Sequence, residues 1–484
     1  MKSLIPYILL LASFISFAAC NDEEQFTSDG SIRISFSEDT IAFDTVFTTI
    51  GSSTKSFQVY NNSEKGIRLR NIKLASGGNS GFRINVDGLS GSSFSDVEIL
   101  GKDSIFVFVE LTVNPQNSDS PILITDSLEF IHNDGYAQQV ILQAYGQDIE
   151  IMRAPVFEKD TTLSSSRPIV IYDSLIVKKK ATLNISAGTT LCFHSGAYMA
   201  VYGNVKACGT LDKPIVFRGD RTDKILPNIP YDRIDGQWEG IRLYQSSNDN
   251  VFDNVDIHGG NYGIICDSTG IEKDKVTILN SSIHNVKGSC INSVCNKILV
   301  ANSQLTNAGT HCLFIYGGDN TFYHVTVAQF YPWSIPGAAL KFSNRMDEPQ
   351  MSLPLHSLHF YNSIIIGTGG DDHIEGTRFI GDTEEETLSV PFNIGFHNCF
   401  VRTDTVGSGE YFTDCVLEHV DSLAYGVGNF KSINTEIYAY NFKLDSLSRA
   451  RNIGNPKYSD KYAKDKNGVT RKSDHPDAGC FEFQ

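Results

Sequence analysis

The chain has 484 residues with 40 basic and 56 acidic side chains, a formal net charge of −16. Its one basic cluster is Lys178-Lys179-Lys180, so nucleic acid is excluded as an expected partner of the folded part on charge grounds. The length suits two or three domains or one long repeat array, and 40 Gly, 30 Phe and 20 Tyr suit many short strands with tight turns.

In chain order, residues 1–19 come first: a charged Met1-Lys2-Ser3, an apolar run from Leu4 to Ala19, then Cys20. This is the layout of a secretory signal, too short and too early for a permanent span. Phe17-Ala18-Ala19-Cys20 resembles a bacterial lipobox, in which the Cys is lipidated after cleavage; Phe17 stands where Leu is usual. Asn21-Asp22-Glu23-Glu24 opens an acidic tether, 20–30, that resembles the export tag of Bacteroidetes surface lipoproteins. The resemblance implies lipidation at Cys20 and a lipid-anchored, surface-exposed protein of the cell outer membrane. Lipid chains anchor a protein without spanning the bilayer.

Residues 31–147 alternate apolar and polar in seven short runs, among them "SIFVFVELTVNP" and "QQVILQAYG". That spacing predicts an antiparallel β-sandwich. The order of its last three runs resembles the closing strands of immunoglobulin-like domains of the ASPM/SPD-2/hydin type, which implies a spacer or interaction module. No catalytic constellation is visible in it. Residues 148–166 are expected to be a linker.

From 167 to 484 the pattern changes. Polar pivots fall at Asn254, Asn280, Asn302, His324, Asn362 and Asn398, each beside a short apolar strand, at intervals of 26, 22, 22, 38 and 36 residues. A period in the low twenties fits one coil of a solenoid. The pivots are expected to stack as an internal Asn ladder. Cys266, Cys290 and Cys312, 24 and 22 residues apart, are expected to form a ladder of free thiols on successive rungs. The stretch "GTTLCFHSGAYMAVYG" and "WEGIRLYQSS" resemble opening coils of right-handed parallel β-helices of the pectin-lyase-like superfamily. The tail "DKNGVTRKSDHPDAGCFEF" resembles the terminal motif of bacterial β-helix proteins. The fold class expected is therefore all-β: a right-handed parallel β-helix after an immunoglobulin-like sandwich, with the sandwich and the tail capping the solenoid.

Three departures from the period are candidate sites. The insertion 219–238 carries Tyr231 and Trp238, and 330–337 carries Tyr331 and Trp333. These aromatics are candidate sugar-stacking residues, since loops leaving a solenoid usually build its binding face; the alternative is that they cover open coil edges. Gly370-Asp371-Asp372-His373 superficially resembles the paired-Asp element of polygalacturonases, making Asp371 and Asp372 candidate catalytic acids. The family's other three signatures are missing. The His set His258, His284, His311 and His324 shows no ligand spacing along the chain, so no metal site is expected. No cofactor is expected either, with Ca²⁺ reserved for the case of a lyase. The function expected is binding of an extracellular polysaccharide or cell-envelope partner by a monomer. The alternatives are a polysaccharide lyase or glycoside hydrolase in the β-helix groove, and a non-catalytic adhesive stalk.

Overall fold

The computed structural model describes residues 25–27, 29, 31–334, 336–347, 350–368, 372–404, 409–419 and 427–484. Residues 1–24, Cys20 among them, and Asp371 lie outside the described residues. The chain forms two compact units, 1–148 and 149–484. No helix among the described residues is long and apolar enough to cross a membrane.

The first unit is a sandwich of two five-stranded sheets. One runs in the spatial order Ser35–Phe36, Lys55–Tyr60, Ser104–Leu111, Phe82–Val86, Leu89–Gly91. The other runs Thr40–Phe47, Ala137–Gln147, Ile122–His132, Ile67–Leu74, Ser93–Ile99. Pairing is antiparallel throughout except between Thr40–Phe47 and Ala137–Gln147. Strand Ser104–Leu111 shows why the fold forms. Ile105, Val107, Val109 and Leu111 point inward and are buried, while Phe106 and Phe108 face out. That is the period-two pattern of a strand with one wet face.

The second unit is a right-handed parallel β-helix. Three all-parallel sheets of eleven, nine and ten strands run its length. The first sheet includes Thr190–Phe193, Ile215–Gly219, Val255–His258, Ser282–Val286, Gln304–Ala308, Thr326–Gln329, Ile364–Gly367 and Phe400–Arg402. The supposed linker is the opening coil: Glu150–Arg153, Val156–Phe157 and Thr161–Leu163 pair in parallel with the next coil in all three sheets. Its strands are only two to four residues long, too short to show a coil pattern in the sequence.

The pivots have a plain physical reason. Each stands between a strand of the third sheet and one of the first, where the chain turns a corner in a single residue. Asn254, Asn280, Asn302, His324, Asn362 and Asn398 all have φ between 47° and 54°. That left-handed conformation costs most L-residues about 1–2 kcal/mol, and Asn tolerates it best after Gly. Amides then bridge coils: Asn302 Nδ2 donates to Asn280 Oδ1 at 3.2 Å, and Asn280 Nδ2 donates to Asp253 Oδ1 at 2.8 Å. The following Ser or Cys forms a second file. Val255 N–H donates to Ser281 Oγ, Ser281 N–H to Ser303 Oγ, and Val325 N–H to Ser363 Oγ, at 3.0 to 3.1 Å. Inside, Phe322, Phe360 and Phe396 stack at 4.3 and 5.4 Å between centroids. Burying each ring contributes about 1.5–3 kcal/mol.

The thiol ladder is shorter than expected. Cys290 and Cys312 occupy adjacent rungs, just before the paired Ile291 and Leu313. Cys266 pairs with Ser293 instead, because its coil is 27 residues long, Ile264 pairing with Ile291. Strand Gly270–Leu279 carries two register irregularities that absorb the excess. The nine cysteines among the described residues are free.

The tail folds back over the outer face of the first sheet. Phe430–Asn434 and Ala439–Leu444 form an antiparallel pair, and Phe430, Phe442, Leu444, Ala450 and Phe481 pack on Ala328, Ile364, Ile366 and Phe400. These four are outward residues of the first sheet, whose inward neighbours Val327, Ile365 and Val401 belong to the coil core. Strand Ile364–Gly367 is therefore buried on both faces, the usual cause of an unbroken apolar run. The motif residues of the tail tie it down. Asp465 accepts from the Asn467, Val469 and Glu482 N–H groups, and Arg471 reaches Glu482 and donates to Asn302 Oδ1 at 2.9 Å.

Candidate functional site

The tail covers the outer face of the first sheet only on its later coils. Upstream, the insertion 219–238 folds over the same face as a short hairpin, Lys224–Leu226 with Ile229–Pro230, and a single 3₁₀ turn, Tyr231–Arg233. Gln237 fixes the turn by donating Nε2 to the carbonyls of Tyr231 and Ile234 at 2.6 and 2.7 Å. Arg233 Nη1 donates to Ile437 O of the tail at 2.9 Å. Insertion and tail thus meet above the sheet, with two polar features beneath.

The first is a cluster of carboxylates and imidazoles. Asp256 and His258 are two residues apart on strand Val255–His258 and so share a face. Register places His284 opposite His258 on the next coil, with the rings 5.0 Å apart and 21° from parallel. Asp256 Oδ1 lies 2.8 Å from His258 Nδ1 and 3.0 Å from His284 Nε2. Asp232, from the insertion, meets His258 Nε2 at 2.9 Å and is paired with Arg218 Nη1 at 2.8 Å. The His258 side chain is 7% exposed, while Asp256 and His284 keep 38% and 24% of theirs open.

The electrostatics follow from this geometry. Burial works against charge on His258, but Asp256 and Asp232 on its two nitrogens outweigh it and lift its pKa to about 9. Burial likewise opposes ionisation of Asp232, yet His258 and Arg218 hold it down at about 2. Desolvation opposes ionisation of the partly open Asp256 too, and the two imidazoles keep it well below the usual carboxylate range. Without a ligand, the cluster is an ion network with a proton on each side of His258.

The second feature is a shallow crevice lined by Arg233, Asp235, Asn285, Asn307, Tyr331, Pro332, Trp333, Tyr438 and Tyr440. Trp333 is 48% exposed and stacks on Tyr438 with centroids 4.7 Å apart and planes 18° from parallel. The Tyr331 hydroxyl bonds the Asp235 carboxylate; burial first, then that carboxylate, raises the phenol pKa. Burial also raises Asp235, against the Tyr331 bond. Asp235 Oδ2 is buried and has no hydrogen-bond partner among the described residues.

The residues singled out in the sequence therefore scatter. Tyr331 and Trp333 line the crevice. Tyr231 does not: its ring carries the Arg221 guanidinium 3.9 Å from its centroid. Trp238 is a core residue, wholly buried, stacked on Phe193 at 4.4 Å and donating Nε1–H to His258 O at 2.9 Å. It has no surface to offer a sugar. Asp372 accepts from Thr403 Oγ1 at 3.0 Å and from the Asp404 N–H, and so tethers a turn. Strand Phe400–Arg402 beside it lies four rungs from Ser282–Val286, about 19 Å at strand spacing. Of the His set, His311 bonds Ala338 O, and His324 is buried against Ser459 and Asn362. Only His258 and His284 converge. The signal available for them was an interval equal to one coil, 26 residues, matching Asn254 to Asn280.

No protein-family model and no curated protein matches the chain. Among solved structures, a family 123 glycoside hydrolase from Clostridium perfringens, described for glycolipid glycan hydrolysis, is similar over 25% of this chain at 8% identity and a TM-score of 0.18. The chain spans 30% of that protein's length. The ASH/PapD-like domain of human CEP192 is similar over 25% of this chain and 87% of its own, at 12% identity and a TM-score of 0.17. The catalytic unit of a GH87 α-1,3-glucanase from Streptomyces thermodiastaticus is similar over 75% of both chains, at 9% identity and a TM-score of 0.22. Likeness at this level says nothing about the activity of this chain.

Proposed function

We propose that the β-helix binds a polysaccharide in the crevice beneath the insertion and the tail. The observation that carries this reading is the exposed Trp333–Tyr438 stack standing beside a buried carboxylate oxygen, Asp235 Oδ2, with no hydrogen-bond partner among the described residues. An aromatic face takes the apolar face of a pyranose, and an unpaired buried acceptor takes a hydroxyl. Arg233, held through Nη1 by Ile437 O, lines the same crevice. Affinity electrophoresis across a polysaccharide panel tests it. Retention by the parent protein should fall about 5- to 30-fold in Trp333→Ala, a loss of about 1–2 kcal/mol, with thermal stability unchanged. Full retention by Trp333→Ala sinks the proposal.

A second reading, hydrolysis or elimination on the same face, is favoured by the convergence of Asp232, Asp256, His258, His284 and Arg218 on one sheet. New reducing ends or unsaturated products from the retained polysaccharide, abolished by His258→Gln, would establish it. The protein is further proposed to work outside the cytoplasm as a monomer held at the outer membrane by lipid on Cys20. Cys20→Ser should move it from the membrane fraction to the soluble one; a variant still in the membrane fraction refutes the anchor.

A further inference from the structure

Asp256 Oδ1 faces two imidazole nitrogens at once, His258 Nδ1 at 2.8 Å and His284 Nε2 at 3.0 Å. Two imidazoles and a carboxylate around one point are the donor set of a borderline transition-metal ion, not of Ca²⁺ or Mg²⁺, which take oxygen ligands. The three donor atoms lie within 4.8 Å of one another. Bonds of about 2.0–2.1 Å in a tetrahedron set donors about 3.3 Å apart, so the two carboxylate–imidazole gaps of 2.8 and 3.0 Å need open by only a few tenths of an ångström.

The surroundings are arranged as a metal site needs. His258 Nε2–H is given to Asp232 at 2.9 Å, and Arg218 holds Asp232 from behind at 2.8 Å. A carboxylate on the far nitrogen fixes the ring, so that loss of the Nδ1 proton would aim its lone pair at a metal ion beside Asp256. Across that 2.8 Å gap a divalent ion would take the place of the proton now shared by imidazole and carboxylate. Asp256 and His284 remain partly open to solvent, which leaves a coordination position for water or substrate. We propose that Asp256, His258 and His284 bind one divalent zinc-class ion, with Asp232 as the positioning residue for His258. This site does not depend on sugar binding in the neighbouring crevice.

The test uses the full protein stripped with chelator, then titrated with Zn²⁺ by calorimetry and with Co²⁺ by visible absorption. One Zn²⁺ per chain is expected, and Co²⁺ should show the ligand-field bands of a four- or five-coordinate site. His258→Ala/His284→Ala should abolish both, with circular dichroism confirming the fold. Asp232→Asn should keep the stoichiometry and weaken affinity about 10- to 100-fold. No stoichiometric uptake, or uptake and spectra unaltered by the double substitution, overturns the site and leaves a proton-bridged ion network. If the double variant does not fold, His284→Gln replaces it: an unchanged Co²⁺ spectrum overturns the proposal, and a shifted, weakened one supports it.

Discussion

Replacing Trp238 is expected to damage stability, and replacing Trp333 is not. Trp238 is wholly buried, its ring lies flat on Phe193 at 4.4 Å, and its Nε1–H is spent on the His258 carbonyl. Truncating a buried Trp to Ala costs about 3–5 kcal/mol for lost contacts and the cavity left behind. Stranding the His258 carbonyl adds about 1 kcal/mol. Trp238→Ala should therefore lower the unfolding free energy of the β-helix by about 4–6 kcal/mol. Trp238→Phe keeps a stacking ring and loses the hydrogen bond and part of the volume, so about 1–2 kcal/mol is expected. The chain has two tryptophans, both in the second unit, so Trp fluorescence in urea follows the β-helix and is blind to the sandwich. In Trp238→Ala the signal comes from Trp333, and the midpoint should drop at unchanged slope. A loss below about 1 kcal/mol would refute the assignment of Trp238 to the core.

Two further outcomes are expected. Asn302→Ala should cost the β-helix about 2–4 kcal/mol, since it removes the short polar side chain that makes the left-handed corner tolerable and with it the acceptor of buried Arg471. Asn302→Gly should recover about 1 kcal/mol of that in the same urea assay, and equal losses would rule out a conformational role. His373 is buried, and burial followed by Arg402 lowers its pKa to about 4. Burial also lowers His324, with Arg471 acting in the same sense. A depressed folded pKa means stability that is complete above the unfolded value of about 6.5 and is lost as pH falls. For His373 the window runs from about 6.5 down to about 4, at about 1.4 kcal/mol per pH unit. The slope of stability against pH in that window should shrink in His373→Leu, and an unaltered slope would contradict its burial as a neutral ring.

Several features were legible locally because their cause is local. A corner turned in one residue needs a left-handed backbone, and Asn254, Asn280, Asn302, Asn362 and Asn398 announce that need in the sequence. Alternation in "SIFVFVEL" sorts inward from outward side chains without reference to any partner strand. The coil period and the sandwich pattern follow from the same short-range rules.

What lies across coils was decided by register, and register depends on where each coil extrudes its extra residues. Cys266 left the thiol ladder because strand Gly270–Leu279 absorbs residues between it and the next rung. His258 and His284 meet because their 26-residue interval is one whole coil, and Asp232 joins them because the insertion folds back over the outer face. Trp238 could have faced either way from its place at the end of that insertion; the neighbouring Phe193 and the His258 carbonyl turned it inward. Sequence alone determined the kind of scaffold, since backbone geometry and strand alternation act over a few residues. Tertiary structure alone chose which side chains would share a point in space, since stacking brings together residues a full coil apart.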